Sequence, residues 1–333
     1  MLAHVCGHAD YFITQRPAAD FLCKSGGLLR SMSMKGRATW FRDPRDYQIT
    51  VLGGLLAYGL LVLQFDIQWP QVLLTLSATL LVQRACTAIW RLPRFDPKSA
   101  LISGLSLCLL LRTNDLWLVV AAALITIGSK FVLRVRGKHI FNPTNFGIVA
   151  LLIATNSVWV SPGQWGNVAF FGFLMACLGG LVVHRALRSD VAIAFVVAYA
   201  SLLIGRSLYL GEPLTIPLHR LQSGGLLLFT FFMISDPKTT PNTRAGRFLF
   251  AGIVAFGAWY VQFRMFRTNG LMWSLAACAM LTPLIDWLLP GSRYEWPAAA
   301  SQSPTPTPTT PSLSPSMTPA PLESLTPAER TLS

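Results

Sequence analysis

Two polar stretches, each enclosed by apolar sequence, hold most of the residues that could do chemistry. The first, "GKHIFNPTNFG" (137–147), carries Lys138, Asn142, Thr144 and Asn145. The second, "ISDPKTTPNTR" (234–244), carries Asp236, Lys238, Thr239 and Thr240. A lysine among amides and hydroxyls can hold a polar or anionic group. A carboxylate in a threonine-rich turn can orient a cofactor or a cation. Each stretch also has a plainer role. Asn142-Pro143 reads as a helix start, with Pro in the first turn. Asp236-Pro237 reads as a helix stop, because Pro disfavours helical geometry at the residue before it. Thr239, Thr240 and Asn242 can then satisfy the freed backbone groups. Both readings stay open at this point.

Other chemistries find little support. The six cysteines, Cys6, Cys23, Cys86, Cys108, Cys177 and Cys278, include no CxxC pair. Four of them lie in apolar segments, where cysteine packs as a small hydrophobe. "HVCGH" (4–8) offers three ligands without a fourth, so no metal site and no catalytic residue is assigned. No glycine fingerprint for a dinucleotide follows a strand, so any NADH-derived electrons must come from a partner protein.

The elements that must position these stretches are membrane helices. Of 333 residues, 53% are hydrophobic and only 12% charged, and the mean hydropathy is +0.50. A soluble domain carries roughly twice that charged fraction. Ten apolar segments fit, at roughly 47–65, 71–90, 99–111, 115–134, 145–160, 164–184, 190–209, 222–235, 247–264 and 270–289. Several are long enough to cross a hydrocarbon layer of about 30 Å. With ten crossings and both termini cytoplasmic, 21 of the 27 Lys/Arg fall inside. That asymmetry predicts a multi-pass membrane protein with both termini cytoplasmic. The net charge of +13 is then explained by cytoplasmic loops and anionic lipid, and nucleic acid is not an expected partner.

The expected organisation is a basic cytoplasmic segment (1–46), a ten-helix membrane domain (47–290) and a disordered tail (291–333). The tail is rich in Pro, Thr and Ser and cannot bury enough surface to fold. No clean signal peptide is recognised in 1–46, and Met32 or Met34 are candidate starts. Arg84, Lys130 and Asp286 lie within spans, where each is costly unless paired or solvated. Lys130 and Asp286 are near span ends and are read as snorkelling. Arg84 is deeper, and Asp286 is its expected partner.

The chain contains signs of an internal repeat. Ser103-Gly104 is read as opening the short third segment, and Ser223-Gly224 the short eighth. "TNFGIVALL" (144–152) echoes "TNGLMWSLA" (268–276). Five crossings separate equivalent elements, so the second copy (164–289) is inverted relative to the first (47–160). In such architectures sites gather at the repeat interface, beside short or broken helices. Ser103, Gly104, Ser223 and Gly224 mark that interface.

At these residues the sequence resembles the NqrB/RnfD family, the membrane subunits of the sodium-pumping NADH:quinone oxidoreductase and of the Rnf electron-transport complex. The stretches that carry the likeness are "SALISGLSLCLLLRTNDLW" (99–117), "GSKFVLRVRGKHIFNPTNFGIVALL" (128–152) and "LQSGGLLLFTFFMISDPKTTP" (221–241). It looks closest to the stand-alone UnbU-like branch. The resemblance implies an all-α protein of ten transmembrane helices in two inverted repeats. It also implies a flavin, FMN or riboflavin, with other subunits, redox proteins, a quinone or a cation as partners. Family members attach FMN to a threonine in an S-G-A-T element. The corresponding loop here, "LGEPLTIPLHRLQSGG" (210–225), lacks Ser-Gly-Ala, and Thr215 is the residue in the right neighbourhood. Non-covalent flavin on Lys138, Asn142, Thr144 and Asn145 is the other implied arrangement. Three functions remain: a flavin-linked redox subunit, a non-redox small-solute transporter or channel, and a membrane scaffold for natural-product biosynthesis.

Overall fold

The structure, a computed structural model, describes residues 43–65, 67–161, 178–182 and 188–294. The "HVCGH" stretch, most of the expected segment 164–184 and the Pro/Thr/Ser-rich residues from 295 onward lie outside the described residues.

Helices occupy nearly every apolar segment within that range. They are α1 (Pro44–Leu61), α2 (Trp69–Ile89), α3 (Pro97–Leu110), α4 (Leu116–Val132), α5 (Pro143–Ala154), α6 (Ser189–Leu210), α7 (Thr215–Leu221), α8 (Gly224–Leu228), α9 (Arg244–Phe263), α10 (Gly270–Ala279) and α11 (Thr282–Leu288). Their starts follow local chemistry. Asp43, Asp96, Asn142, Ser223 and Thr243 each occupy an N-cap and accept a first-turn N–H, satisfying a donor the helix leaves orphaned. Pro44, Pro97 and Pro143 take the first helical position, where the missing N–H costs nothing. The helix-start reading of Asn142-Pro143 therefore holds.

Acid–base contacts tie the first helix to the third. Arg45 pairs with Asp43 at 2.7 Å and Asp96 at 2.8 Å, and Lys98 with Asp46 at 2.7 Å. Burial works against the Asp43 charge. The bonds from Arg45 and the nearby Lys98 charge outweigh it and lower the Asp43 pKa.

α2, α6 and α9 are each long and apolar enough to cross a membrane, by length and composition. α10 and α11 pass the same test as a pair bent by 48°. The chain is an integral membrane protein by this criterion. α3, α4, α5 and the stretch 224–233 are shorter apolar helices. Many outward side chains are large and apolar, including Leu73, Leu81, Ile153, Ile193 and Val197, as expected where lipid rather than water is the solvent. Packing runs α1 on α3, α2 on α3 and α4, α4 on α5, α6 on α9 and α9 on α10, with α5 against α10 joining the two halves.

Small residues let these helices approach closely, as is common in membranes. A methyl group at Gly147 of α5 would collide with Thr126 Oγ1 of α4, and one at Gly257 of α9 with Ser274 Oγ of α10.

Four short strands complete the frame. β1 (Leu111–Thr113) pairs antiparallel with β4 (Val158–Val160), Leu111 opposite Val160. β2 (Arg134–Val135) and β3 (Lys138–His139) form a hairpin. Arg136 and Gly137 both take positive φ at its tip, the geometry a two-residue hairpin turn requires.

Two readings need correction, and one feature was not foreseen. Helix α3 opens at Pro97, not at Ser103-Gly104. Ser103 is mid-helix, donating to the Ser99 carbonyl at 3.2 Å, and Gly104 packs on Thr79 of α2. α5 ends at Ala154 instead of running to 160, because "VWV" is drawn into pairing with β1. After α8 the helix widens into one π turn (Phe229–Met233) before the polar turn begins, a distortion common at functional sites.

Candidate functional site

The hairpin β2–β3 delivers Lys138 into the second half of the chain. Its ammonium pairs with Asp286 Oδ2 of α11 at 2.7 Å and donates to the Thr240 carbonyl at 2.6 Å and Asn242 Oδ1 at 3.1 Å. Asp286 Oδ1 accepts the Asn242 backbone N–H at 2.8 Å. Both charged side chains are largely buried, at 11% and 16% exposure, so each needs the other. Burial pulls the Lys138 pKa down, while Asp286 works to raise it.

The expected partner of Asp286, Arg84, is therefore wrong. Arg84 is exposed, with its guanidinium 5.8 Å from the Phe95 ring centroid. Lys130 does not snorkel either. It is buried, and Nζ donates to the Ser99 carbonyl at 2.8 Å and Ser99 Oγ at 3.1 Å.

The polar turn after the π-helix closes on itself. Asp236 O accepts from Thr239 N, Thr240 N and both threonine hydroxyls. Asp236 Oδ1 accepts the Lys238 N–H at 2.9 Å. These bonds bear out Thr239 and Thr240 as the groups that satisfy freed backbone. Asn142 Nδ2 reaches across to the Met233 carbonyl and to Asp236 Oδ2, both at 3.4 Å. Asn145 Nδ2 reaches the Met272 carbonyl at 3.2 Å. The two sequence stretches are thus brought together across the junction of the halves. Thr144 is buried in the first turn of α5.

Beside this lattice lies a cavity of about 340 Å³. Lys138, His139, Thr282, Asp286, Arg136 and Arg293 are among its lining residues. Asn142, Thr144, Asn145 and Asp236 are not; Asn142, Asn145 and Asp236 brace the junction instead. Two buried polar atoms in the lining, His139 Nδ1 and Thr282 Oγ1, have no hydrogen-bond partner. Burial, reinforced by Arg134, Lys130 and Lys238, pushes the His139 pKa down to about 3. The ring is neutral at ordinary pH, and a hydrogen bond with the Lys130 backbone already engages it, which leaves Nδ1 to face the cavity without a partner.

His139 and Thr282 were missed by sequence reasoning. His139 stands next to Lys138, and Thr282-Pro283 interrupts an apolar segment. That break was the available signal.

Thr215 lies elsewhere. It is exposed and begins α7. Gly224 is buried at the start of α8, and Ser223 caps it.

Residues 156–295 match the profile of the family described as NQR2, RnfD, RnfE. The likeness to the NqrB/RnfD family stands on this match. Of the three stretches that suggested it, only 221–241 falls inside the matched range. Over 126 residues the chain is 29% identical to the D component of the ion-translocating oxidoreductase complex of Erwinia tasmaniensis. It is 28% identical to that of Escherichia coli (strain K12) and 27% to that of Citrobacter koseri. Each alignment covers 37% of this chain and 34% of the relative. The matched stretch therefore spans about a third of the length of these curated relatives.

A flavin fits the cavity better than it fits Thr215. The cavity presents unpaired hydrogen-bonding atoms for a ring edge and two arginines for a phosphate. Thr215 is surface-exposed and lacks the preceding Ser-Gly-Ala.

Proposed function

We propose that this chain is a membrane subunit of a flavin-linked electron-transport complex, working with separate redox subunits. The observation that carries the proposal is the cavity at the junction of the two halves, with two buried polar atoms awaiting partners. Thr282 and His139 would hold the polar edge of a non-covalent flavin, FMN or riboflavin, and Arg136 and Arg293 would take a phosphate. The bound flavin would supply electron transfer. Lys138 and Asp286 fix the wall, and His139, being neutral, would offer Nδ1 for a hydrogen bond without adding charge.

Ten crossings in two inverted five-helix repeats, about 47–160 and 164–289, complete the proposal. Packing supports it: α2 on α4 and α4 on α5 parallel α6 on α9 and α9 on α10. The names of the relatives support a multi-subunit, ion-translocating setting, in the bacterial inner membrane with both termini cytoplasmic. A quinone or a cation would be the acceptor or the coupled species. The absence of Ser-Gly-Ala before Thr215 favours a second reading, a non-redox transporter.

The test is the flavin content of purified full-length chain. Flavin that is released on denaturation and lost in Thr282→Val supports the proposal. Protein without flavin, purified with its membrane partners, favours the transporter.

A further inference from the structure

A second cavity, of about 470 Å³, lies at the opposite ends of α6 and α9. The two helices run parallel. Asp190 meets Arg247 at their N-terminal ends, and Arg206 lies over Phe263 at their C-terminal ends. With 22 and 20 residues, both are candidate membrane spans, each about 30 Å long or slightly more. Their C-terminal ends therefore come to the membrane surface, at the depth of lipid headgroups.

The cavity's lining suits what is found at that depth. Leu202, Gly205, Leu210 and Phe263 form an apolar wall. Arg206 and Arg264 line the same cavity, and Arg264 is exposed. Arg220 adds a third guanidinium, 5.1 Å from the centroid of the Phe263 ring. Trp259 also lines it, and its indole Nε1 is buried with no hydrogen-bond partner. An indole N–H is a donor only, so this atom requires an acceptor. Arg206 is partly occupied by Glu212, at 2.8 Å.

We propose that this cavity binds one anionic phospholipid. The phosphate accepts from Trp259 Nε1 and the arginines, and an acyl chain lies along the apolar wall. The site needs both parts, since the guanidinia and the indole select the anion and the wall selects the tail. It is independent of any flavin, because none of its residues lines the first cavity.

The experiment uses delipidated full-length protein in detergent, with lipid retention and affinity read by native mass spectrometry. The probes are phosphatidylglycerol, phosphatidylcholine with the same acyl chains, and glycerol phosphate. The expected result is retention of phosphatidylglycerol at least tenfold tighter than phosphatidylcholine, with glycerol phosphate not retained. Arg264→Gln and Trp259→Phe should each weaken phosphatidylglycerol roughly tenfold, the usual effect of losing a hydrogen bond to a charged group. Glu212→Gln should tighten it by releasing Arg206. Arg264 is exposed, so its substitution leaves folding intact even if Trp259→Phe does not. Equal retention of the two lipids would overturn the proposal, as would tailless glycerol phosphate binding as tightly, or unchanged affinity in Arg264→Gln.

Discussion

At the residue scale, the junction holds a buried ion pair, Lys138–Asp286. Removing one partner of such a pair leaves an uncompensated charge and costs about 3–5 kcal/mol. Lys138→Met and Asp286→Asn should each lower the unfolding midpoint sharply, and Lys138→Met/Asp286→Leu should recover part of the loss. Chemical denaturation in detergent measures all three. Asp236 is a second case. It braces the turn without lining the cavity, so Asp236→Asn should cost about 1–2 kcal/mol with flavin content unchanged. Intact stability with flavin lost would return Asp236 to the site. His139 gives a pH signature. Its folded pKa of about 3 lies below the unfolded value near 6.5. Between those values the unfolded state binds the extra proton, so stability falls as pH drops from about 6.5 toward 3, by at most ~1.4 kcal/mol per unit. His139→Asn should flatten that slope. Lys138, Asn142 and Asp236 were legible because they are polar islands in apolar sequence. The Lys138–Asp286 partnership was not, because 148 positions separate the pair and only the fold decides which charge a buried carboxylate meets.

At the element scale, caps and prolines set the helix starts, with Asp43, Asn142 and Ser223 each doing what its residue type suggests; Asn142-Pro143 was readable as one, whereas the start of α3 at Pro97 was not. Helix ends were harder. α5 stops early because a β-rich stretch finds a pairing strand, and that strand lies more than forty residues away at Leu111. The π turn at Phe229–Met233 has no sequence mark. Close helix contacts offer a test of packing. Gly147→Val should force α4 and α5 apart and cost about 1–3 kcal/mol. Thr126→Ala in the same chain should restore part of it. No recovery in the double mutant, read by thermal unfolding, would mean the clash lies elsewhere.

At the scale of the whole molecule, the two ends differ in chemistry. One holds the Lys138–Asp286 lattice and the cavity beside it, and the other holds the arginine-lined cavity at the far ends of α6 and α9. Charge asymmetry is what predicts an orientation from sequence, while the halves' junction needed the fold. Single cysteines test the orientation. Asn114→Cys and Leu214→Cys should react with a membrane-impermeant maleimide from outside the cell, and Arg244→Cys only after permeabilisation. Reaction of all three from one side would contradict the ten-crossing arrangement. The central claim is the cofactor, and it is tested most directly by visible absorbance of the purified full-length chain, compared between wild type, Thr215→Ala and Thr282→Val. The account predicts a flavin spectrum in wild type that survives Thr215→Ala and is lost in Thr282→Val. A spectrum lost in Thr215→Ala but retained in Thr282→Val would contradict it.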